Sequence, residues 1–287
     1  MLTLKIIEIL NSIFDFYIKS SIHLSICLVA LSMISYHTLG IDFNEIILFC
    51  SFAATLVVYN YIKFFSIRNK NNFKENKSIV PIRIVTMLIL FILTSLLLYL
   101  SHKTILLGLI ILIFCLAYVY PLYGINKNIR NFGGLKVFIV AICWSATSVL
   151  IPVFESSINL EKNSILIFFQ RFFFVFAYTL PFEIRDLKYD LPSLKTIPQI
   201  FGVRKAKYFA ILSLLIFIIF SLGLHIQNPV FFYSELLIAI LCAGLILLSE
   251  KNQKKYFSSF LVESLPIFWL ATIVFFKYLF NGVFTNF

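Results

Sequence analysis

Charged residues are scarce in this sequence, and their scarcity decides the class of protein. They make up 13% of the 287 residues, whereas soluble domains carry about 25%. Hydrophobic residues account for 61%, and the mean hydropathy is +0.97. No stretch between the apolar segments is long enough to bury a core of its own. The composition therefore excludes a soluble protein and predicts a single membrane domain over residues 1–287.

Cysteine and histidine are too few and too scattered to indicate a metal or redox centre. Each of the five cysteines lies alone in an apolar segment, without the spacing of a disulfide or a zinc site. The four histidines are equally dispersed. The sequence therefore predicts no zinc, haem or disulfide centre, and the cysteines are expected to be small buried residues.

Long apolar segments are what the sequence has in abundance. A membrane-spanning helix needs about 20 mostly apolar residues, and helices are expected because an open sheet edge cannot be satisfied in lipid. The prediction is an all-α, polytopic membrane protein with nine spans, at residues 20–38, 43–65, 82–101, 104–123, 134–154, 164–185, 208–226, 229–249 and 260–280.

The segment 1–19 differs from these spans. It carries Glu8 and Asp15 inside an apolar pattern and has no small-residue cleavage site. We therefore expect an interfacial amphipathic helix there rather than a signal peptide.

Basic residues indicate the orientation of the spans. Of the 24 Lys and Arg residues, all but Lys103, Lys162, Arg171 and Lys277 fall at one set of alternate loops and at the N-terminal segment. The positive-inside rule then predicts a multi-pass protein of bacterial inner-membrane type, with a cytoplasmic N-terminus. The net charge of +11 is thereby assigned to topology and anionic lipid, and nucleic-acid binding is not expected. The longer loops lie on the predicted cytoplasmic side, so we expect the chemistry there.

The sixth span ends in an acidic motif, "PFEIRDLKYD". Glu183, Asp186 and Asp190 are spaced by three and four residues, which places them on one helical face. Their mutual repulsion calls for a cation, and Arg185 and Lys188 are predicted to point to other faces. Mg²⁺ suits such a site because it takes oxygen ligands and often bridges one or two carboxylates to substrate phosphates. The alternative is a solvated helix end.

The second span ends in "YNYIKFFSIRNK", which carries bases instead of acids. On an ideal helix Lys63 lies within about 60° of Asn60, so both side chains can face one cavity. An amide inside an apolar helix needs a partner. The alternative for Lys63 and Arg68 is ordinary flanking charge of the positive-inside kind.

Two stretches resemble the UbiA-type intramembrane prenyltransferases. "FEIRDLKYDLPSLKTIPQIFG", residues 182–202, is similar to the second Asp-rich motif of that family. "YVYPLYGINKNIRNFGGLKVF", residues 118–138, resembles its Tyr- and Lys-bearing loop after the fourth span. The resemblance implies a UbiA-like bundle of nine helices. It also implies Mg²⁺-dependent transfer of an isoprenoid group from a prenyl diphosphate to an aromatic or lipid-like acceptor, on the cytoplasmic side.

The resemblance also implies roles for individual residues. Asp186 and Asp190 would hold Mg²⁺ with help from Glu183, and Lys63 would join the two aspartates as a catalytic residue. The remaining candidates would contact the substrate: Asn60, Arg68, Lys136, Arg130 and Tyr123. Lys136 is alternatively a snorkelling interfacial lysine. The partners implied are the prenyl diphosphate, the hydrophobic acceptor and membrane lipid, with no obligate protein partner.

The first Asp-rich motif of the family, approximately NDxxDxxxD, is not kept. Aligned on Asn60, this chain has Tyr61, Phe64 and Arg68 at the three Asp positions. In one interpretation Lys63 and Arg68 contact the diphosphate directly, since Arg can bind phosphate bidentately and Lys acts as a point charge.

In a second interpretation these bases pair with the sixth-span acids, and the protein binds isoprenoid lipid without catalysis. A small transporter is the third hypothesis. It is disfavoured because no span was seen to carry the mid-membrane acids or paired broken helices of transporters. Arg171 is predicted near the outer face, away from the chemistry.

Overall fold

The computed structural model describes residues 2–68, 79–119, 134–157, 160–225 and 228–284. The described residues form helices and contain no strand. The α-helices in chain order are α1 Leu2–Lys19, α2 Ile22–Leu39, α3 Glu45–Arg68, α4 Val80–Leu96, α5 His102–Val119, α6 Leu135–Ser145, α7 Ile151–Glu155, α8 Lys162–Asp186, α9 Ile197–His225, α10 Pro229–Leu248 and α11 Leu265–Phe284. Two π-helical segments, Ala146–Leu150 and Phe257–Val262, join α6 to α7 and precede α11.

The predicted all-α, multi-pass architecture is confirmed. Within the described ranges, eight helical segments are long and apolar enough to cross a membrane, and the helix His102–Tyr118 is a shorter apolar one. Together they coincide with the nine segments predicted from hydropathy. The chain is therefore an integral membrane protein with many apolar helices. The single-domain assignment, the interfacial placement of 1–19 and the orientation of the termini stay predictions.

The seventh span departs most from its predicted bounds. Helix α9 begins at Ile197, well before the predicted start at residue 208. It is broken at Gly202, whose backbone has φ 79° and ψ 161° and does not continue a helix. Glycine adopts this conformation without a steric penalty because it has no Cβ. The basic residues Arg204, Lys205 and Lys207 follow Gly202, so hydropathy places the start of the span after them.

Aromatic residues of α8 organise the centre of the bundle. The Phe174 ring lies 4.9 Å from the Trp269 ring and 5.5 Å from the Phe217 ring, measured between centroids, and all three side chains are fully buried. Edge-to-face aromatic pairs contribute about 0.5–1.5 kcal/mol each beyond their buried area. Helices α4 and α5 instead carry exposed apolar side chains such as Phe91 and Leu98, as expected of surfaces that face lipid.

The N-terminal helix α1 is held against the loop before α11. Lys255 Nζ lies 2.7 Å from Asp15 Oδ1, and the Tyr256 hydroxyl donates to the same carboxylate. The hydrogen bond from Lys255, with that of Tyr256, holds the pKa of Asp15 below its usual value. Ile9 and Ile13 of α1 stay exposed. An ion pair and an aromatic contact at Phe14 thus fix one face of α1 and leave an apolar face free.

Candidate functional site

Three carboxylates at the end of α8 converge on the ammonium group of Lys136. The distances from Lys136 Nζ are 2.6 Å to Glu183 Oε1, 3.5 Å to Asp190 Oδ2 and 3.7 Å to Asp186 Oδ2. The side chain of Lys136 is 17% exposed and that of Asp186 is 24% exposed, whereas Glu183 is buried. The arrangement is an ion-pair cluster with one side open, which we call the carboxylate cluster.

Local backbone structure brings the three acids together. Helix α8 ends at Asp186. The Asp190 N–H donates to the Asp186 carbonyl at 2.8 Å, and this hydrogen bond extends the helical path by one further turn. The Gln199 side-chain amide donates to the Asp190 carbonyl at 3.3 Å. Because this turn continues the helical path, Asp190 stays on the same side as Glu183 and Asp186 although it follows the end of α8.

Gly134 places Lys136 opposite the acids. Its φ of 76° lies in the left-handed region that glycine adopts freely. Its N–H donates to the Lys195 carbonyl at 2.9 Å, which joins the start of α6 to the turn that follows the acids. Lys136 is two residues into α6, so its side chain reaches the cluster from the neighbouring helix.

Arg185 corrects one expectation from the sequence. Its Nε lies 2.8 Å from Asp186 Oδ1, so the prediction that it points to another face was wrong. Adjacent residues on a helix do not face each other, but the long arginine side chain lies beside the Phe182 ring and folds back to Asp186. Asp186 therefore has a cation on two sides, Arg185 and Lys136.

Asn60 is fully buried and has found its partners on neighbouring helices. Its Oδ1 accepts a hydrogen bond from Ser21 Oγ at 2.8 Å, and its Nδ2 donates to Thr86 Oγ1 at 2.9 Å. Lys63 Nζ donates to Ser21 Oγ at 2.8 Å and to the Lys19 carbonyl at 3.2 Å. The two residues share Ser21, so they belong to one polar network between α2, α3 and α4.

Glu263 links this network to the carboxylate cluster, and the sequence reasoning missed it. It is nearly buried and follows directly on the π-helical segment of the last span. The positive charges that act on it are those of Lys63 and Arg185. Glu263 is therefore under the electrostatic influence of a base from each of the two groups of residues. The available signal was a lone acid inside an apolar span, which needs a partner.

The side chains of three candidate site residues are not described by the structure. Arg130 and Tyr123 lie outside the described residues. Arg68 is the last residue of α3, and only its backbone is described. The proposed roles of these three residues stay predictions, as do those of the other site residues.

The carboxylate cluster offers only part of the ligand shell that Mg²⁺ needs. Within the described ranges, no three His, Cys, Asp or Glu side chains are grouped so that they alone could hold a metal. Mg²⁺, however, usually binds one or two carboxylates and completes its shell with water and substrate phosphate. Asp186 and Asp190 fit that mode, with oxygens directed at the same point, now taken by Lys136 Nζ. A metal there has to replace the ammonium group.

Comparisons with known proteins support the fold. No family model matches the sequence, and no curated protein matches it significantly. A solved structure of digeranylgeranylglyceryl phosphate synthase, a UbiA-type intramembrane prenyltransferase, is similar to it with a TM-score of 0.55. The alignment has 16% sequence identity and covers 92% of this chain and 98% of that chain. The chain therefore has the fold of a UbiA-type prenyltransferase, as the resemblance predicted.

Proposed function

We propose that this protein is a membrane prenyltransferase that moves an isoprenoid group from a prenyl diphosphate to a hydrophobic acceptor. One observation carries the proposal. The carboxylates of Glu183, Asp186 and Asp190 converge at the open end of α8, in a bundle with the fold of a membrane prenyltransferase. The similarity to digeranylgeranylglyceryl phosphate synthase adds support for transfer within a membrane.

Asp186 and Asp190 would hold one Mg²⁺, with Glu183 nearby. The metal would neutralise the negative charge that develops on the leaving diphosphate. Lys136, once displaced from the carboxylates, is close enough to donate to a phosphate oxygen in the same place. Lys63, held by Ser21 at the second span, would supply positive charge from the other side. These bases would contact the diphosphate directly, in place of the metal contact that the missing first-motif acids cannot provide.

The isoprenoid chain would run from the cluster along apolar and aromatic side chains of α8. Phe172, Phe173 and Phe176 precede the acids on this helix. The faces of aromatic rings carry negative charge density and stabilise a passing cation. An allylic cation formed at the cluster would therefore meet a suitable environment before the acceptor captures it.

The direct test is diphosphate release by the protein in lipid nanodiscs. We expect release from an allylic prenyl diphosphate in the presence of Mg²⁺ and candidate acceptors. Asp186→Asn should lower the rate about 100-fold, as for loss of a group that stabilises transition-state charge. Glu161→Gln, an exposed acid before α8, is the matched control and should leave the rate unchanged. Equal rates in Asp186→Asn and the control would contradict the assignment.

A non-catalytic isoprenoid binder is the second candidate. It is favoured by the non-acidic residues Tyr61, Phe64 and Arg68 at the first-motif positions and by the ammonium group inside the carboxylate cluster. Such a protein would retain isoprenoid lipid through purification, detectable by mass spectrometry, and would release no diphosphate with or without Mg²⁺.

A further inference from the structure

A second group of charged and polar side chains lies in the other half of the bundle. Arg171 is fully buried on α8, and Glu235 on α10 is 1% exposed. His225 Nε2 lies 3.6 Å from Glu235 Oε1, and the Arg171 guanidinium carbon lies 4.0 Å from the centroid of the Trp269 ring. We call Arg171, His225, Glu235 and Trp269 the buried polar group. It stands about 22 Å along α8 from Asp186.

This placement corrects one statement drawn from the sequence. Arg171 lies away from the carboxylate cluster, about 22 Å along α8 from Asp186, and it is fully buried. Glu235, the seventh residue of α10, is an acid inside a span that the search for mid-membrane acids overlooked. Ionisable residues inside spans are costly and usually functional.

The buried polar group has several hydrogen-bonding atoms without partners. In the described part of the chain, Arg171 Nε and Nη2 and Trp269 Nε1 are buried donors without a hydrogen-bond partner. Each such group costs about 1–3 kcal/mol. More than about 90% of buried polar groups in native proteins have a partner. Unpaired atoms gathered in one place therefore point to an occupant.

The charges and the hydrogen-bonding atoms identify the class of occupant. Arg171 and Glu235 carry opposite charges that act on each other, so the pair has no excess charge with which to bind an ion. Arg171 and Trp269 offer donors, and Glu235 offers acceptors. Water serves both kinds, and a buried water needs two to four such partners. The occupant is therefore uncharged, and water fits it.

A cavity lies beside this region, at the end of α8 away from the carboxylate cluster. It has a volume of about 310 Å³, and its lining includes Ser164, Ile167 and His225. Ser164, Ile167 and Arg171 are spaced by three and four residues, so they share one face of α8. His225 lines the cavity and also contacts Glu235. The cavity is large enough to hold several waters.

We propose that Arg171, Glu235 and His225 form a hydrated site that holds water, open to the face opposite the carboxylate cluster. Water enters past Ser164 and His225 and bridges Glu235 to Arg171. The Phe174 and Phe217 rings, packed against Trp269, close the site from the rest of the bundle. The proposal does not depend on prenyl transfer.

Hydroxyl-radical labelling of the protein in nanodiscs tests the proposal, with mass spectrometry as the readout. Radicals generated from bound water modify the side chains next to it. Trp144 is the internal control because it is also buried and its Nε1 already donates to the Tyr59 hydroxyl at 2.8 Å. We expect Trp269 to be modified several-fold faster than Trp144. Modification of Trp269 no faster than that of Trp144 would overturn the proposal.

A variant tests the route of entry. Ser164→Leu fills the cavity beside α8 and should reduce labelling of Trp269 to the rate of Trp144. Ser95→Leu, at an exposed serine of α4, is the matched control and should change nothing. Labelling of Trp269 that persists in Ser164→Leu would contradict entry through this cavity.

Discussion

The two halves of α8 carry two charge clusters that differ in how their charges are compensated. In the carboxylate cluster, Lys136 lies 2.6 Å from Glu183 and Arg185 lies 2.8 Å from Asp186, and both cations retain contact with the surroundings. In the buried polar group, Arg171 and Glu235 are enclosed, and two guanidinium nitrogens of Arg171 have no hydrogen-bond partner among the described residues. We infer that the first cluster can exchange one cation for another, whereas the second is enclosed.

This difference in charge compensation means that the carboxylate cluster can bind a charged ligand, whereas the buried polar group cannot. A partly exposed ion pair is weakly held, because solvent competes with it. A buried ion pair has lost its hydration, and removing one partner leaves a costly charge. Substitutions in the two clusters should therefore have opposite consequences, with function changing in one and stability in the other.

The largest effect on stability should come from Arg171→Met. It leaves the Glu235 carboxylate buried without a nearby positive charge, which costs about 3–5 kcal/mol. We expect a marked fall in the unfolding midpoint in detergent, largely recovered in the double variant Arg171→Met with Glu235→Gln. Lys162→Met, at the exposed start of the same helix, is the control. An unchanged midpoint in Arg171→Met would remove the contrast between the clusters.

Asn60→Leu should have a smaller effect on stability. The change removes two buried hydrogen bonds, to Ser21 and Thr86, and should cost about 1–3 kcal/mol. The unfolding midpoint measures it, with the exposed Asn163→Leu as the control. If Asn60→Leu instead left stability intact and abolished diphosphate binding, the amide would face the substrate and not the neighbouring helices.

Lys136→Met should alter metal binding at the carboxylate cluster, although it also leaves the buried Glu183 carboxylate without its nearest cation. The ammonium group competes with a metal for the carboxylates, so its removal should strengthen Mn²⁺ binding in the absence of diphosphate. We expect about a tenfold change, which corresponds to about 1.4 kcal/mol, measured by electron paramagnetic resonance. Lys188→Met, a lysine in the following turn, serves as the control. Equal Mn²⁺ binding by both variants would show that Lys136 does not occupy the metal position.

The smallest effect should be the pH dependence of the contact between α1 and Lys255. Because the hydrogen bond from Lys255 lowers the pKa of Asp15, this carboxylate adds stability above the unfolded pKa of about 3.9. The contribution should be lost as the pH falls below that value, and it is small because the pair is exposed. The difference in melting temperature between wild type and Asp15→Asn should therefore narrow as the pH falls from 7 towards 3. A difference that grows at low pH would contradict the predicted sign of this pH dependence.

Hydropathy was sufficient to predict the helices because lipid leaves few alternatives for an apolar backbone. It failed at the start of α9, where basic residues follow the kink at Gly202. For the site, the spacing of Glu183, Asp186 and Asp190 predicted a shared face. The contacts of Lys136 with these acids depend on how α6 packs against α8, which no local pattern encodes.

Two buried acids were overlooked in the sequence for the same reason. Glu263 and Glu235 are single acids inside apolar spans, with partners on helices far away in the sequence. A pattern that looks for clustered acids passes over them, although the cost of a lone charge in a span is itself a signal.

The most direct measurement of the central claim is binding of an allylic prenyl diphosphate to the wild-type protein in nanodiscs, with Mg²⁺ and with a chelator. We predict binding that requires Mg²⁺ and is lost in Asp186→Asn but kept in Glu161→Gln. Binding that is absent under all conditions, or is the same with the chelator and in Asp186→Asn, would contradict a metal–diphosphate site at the end of α8.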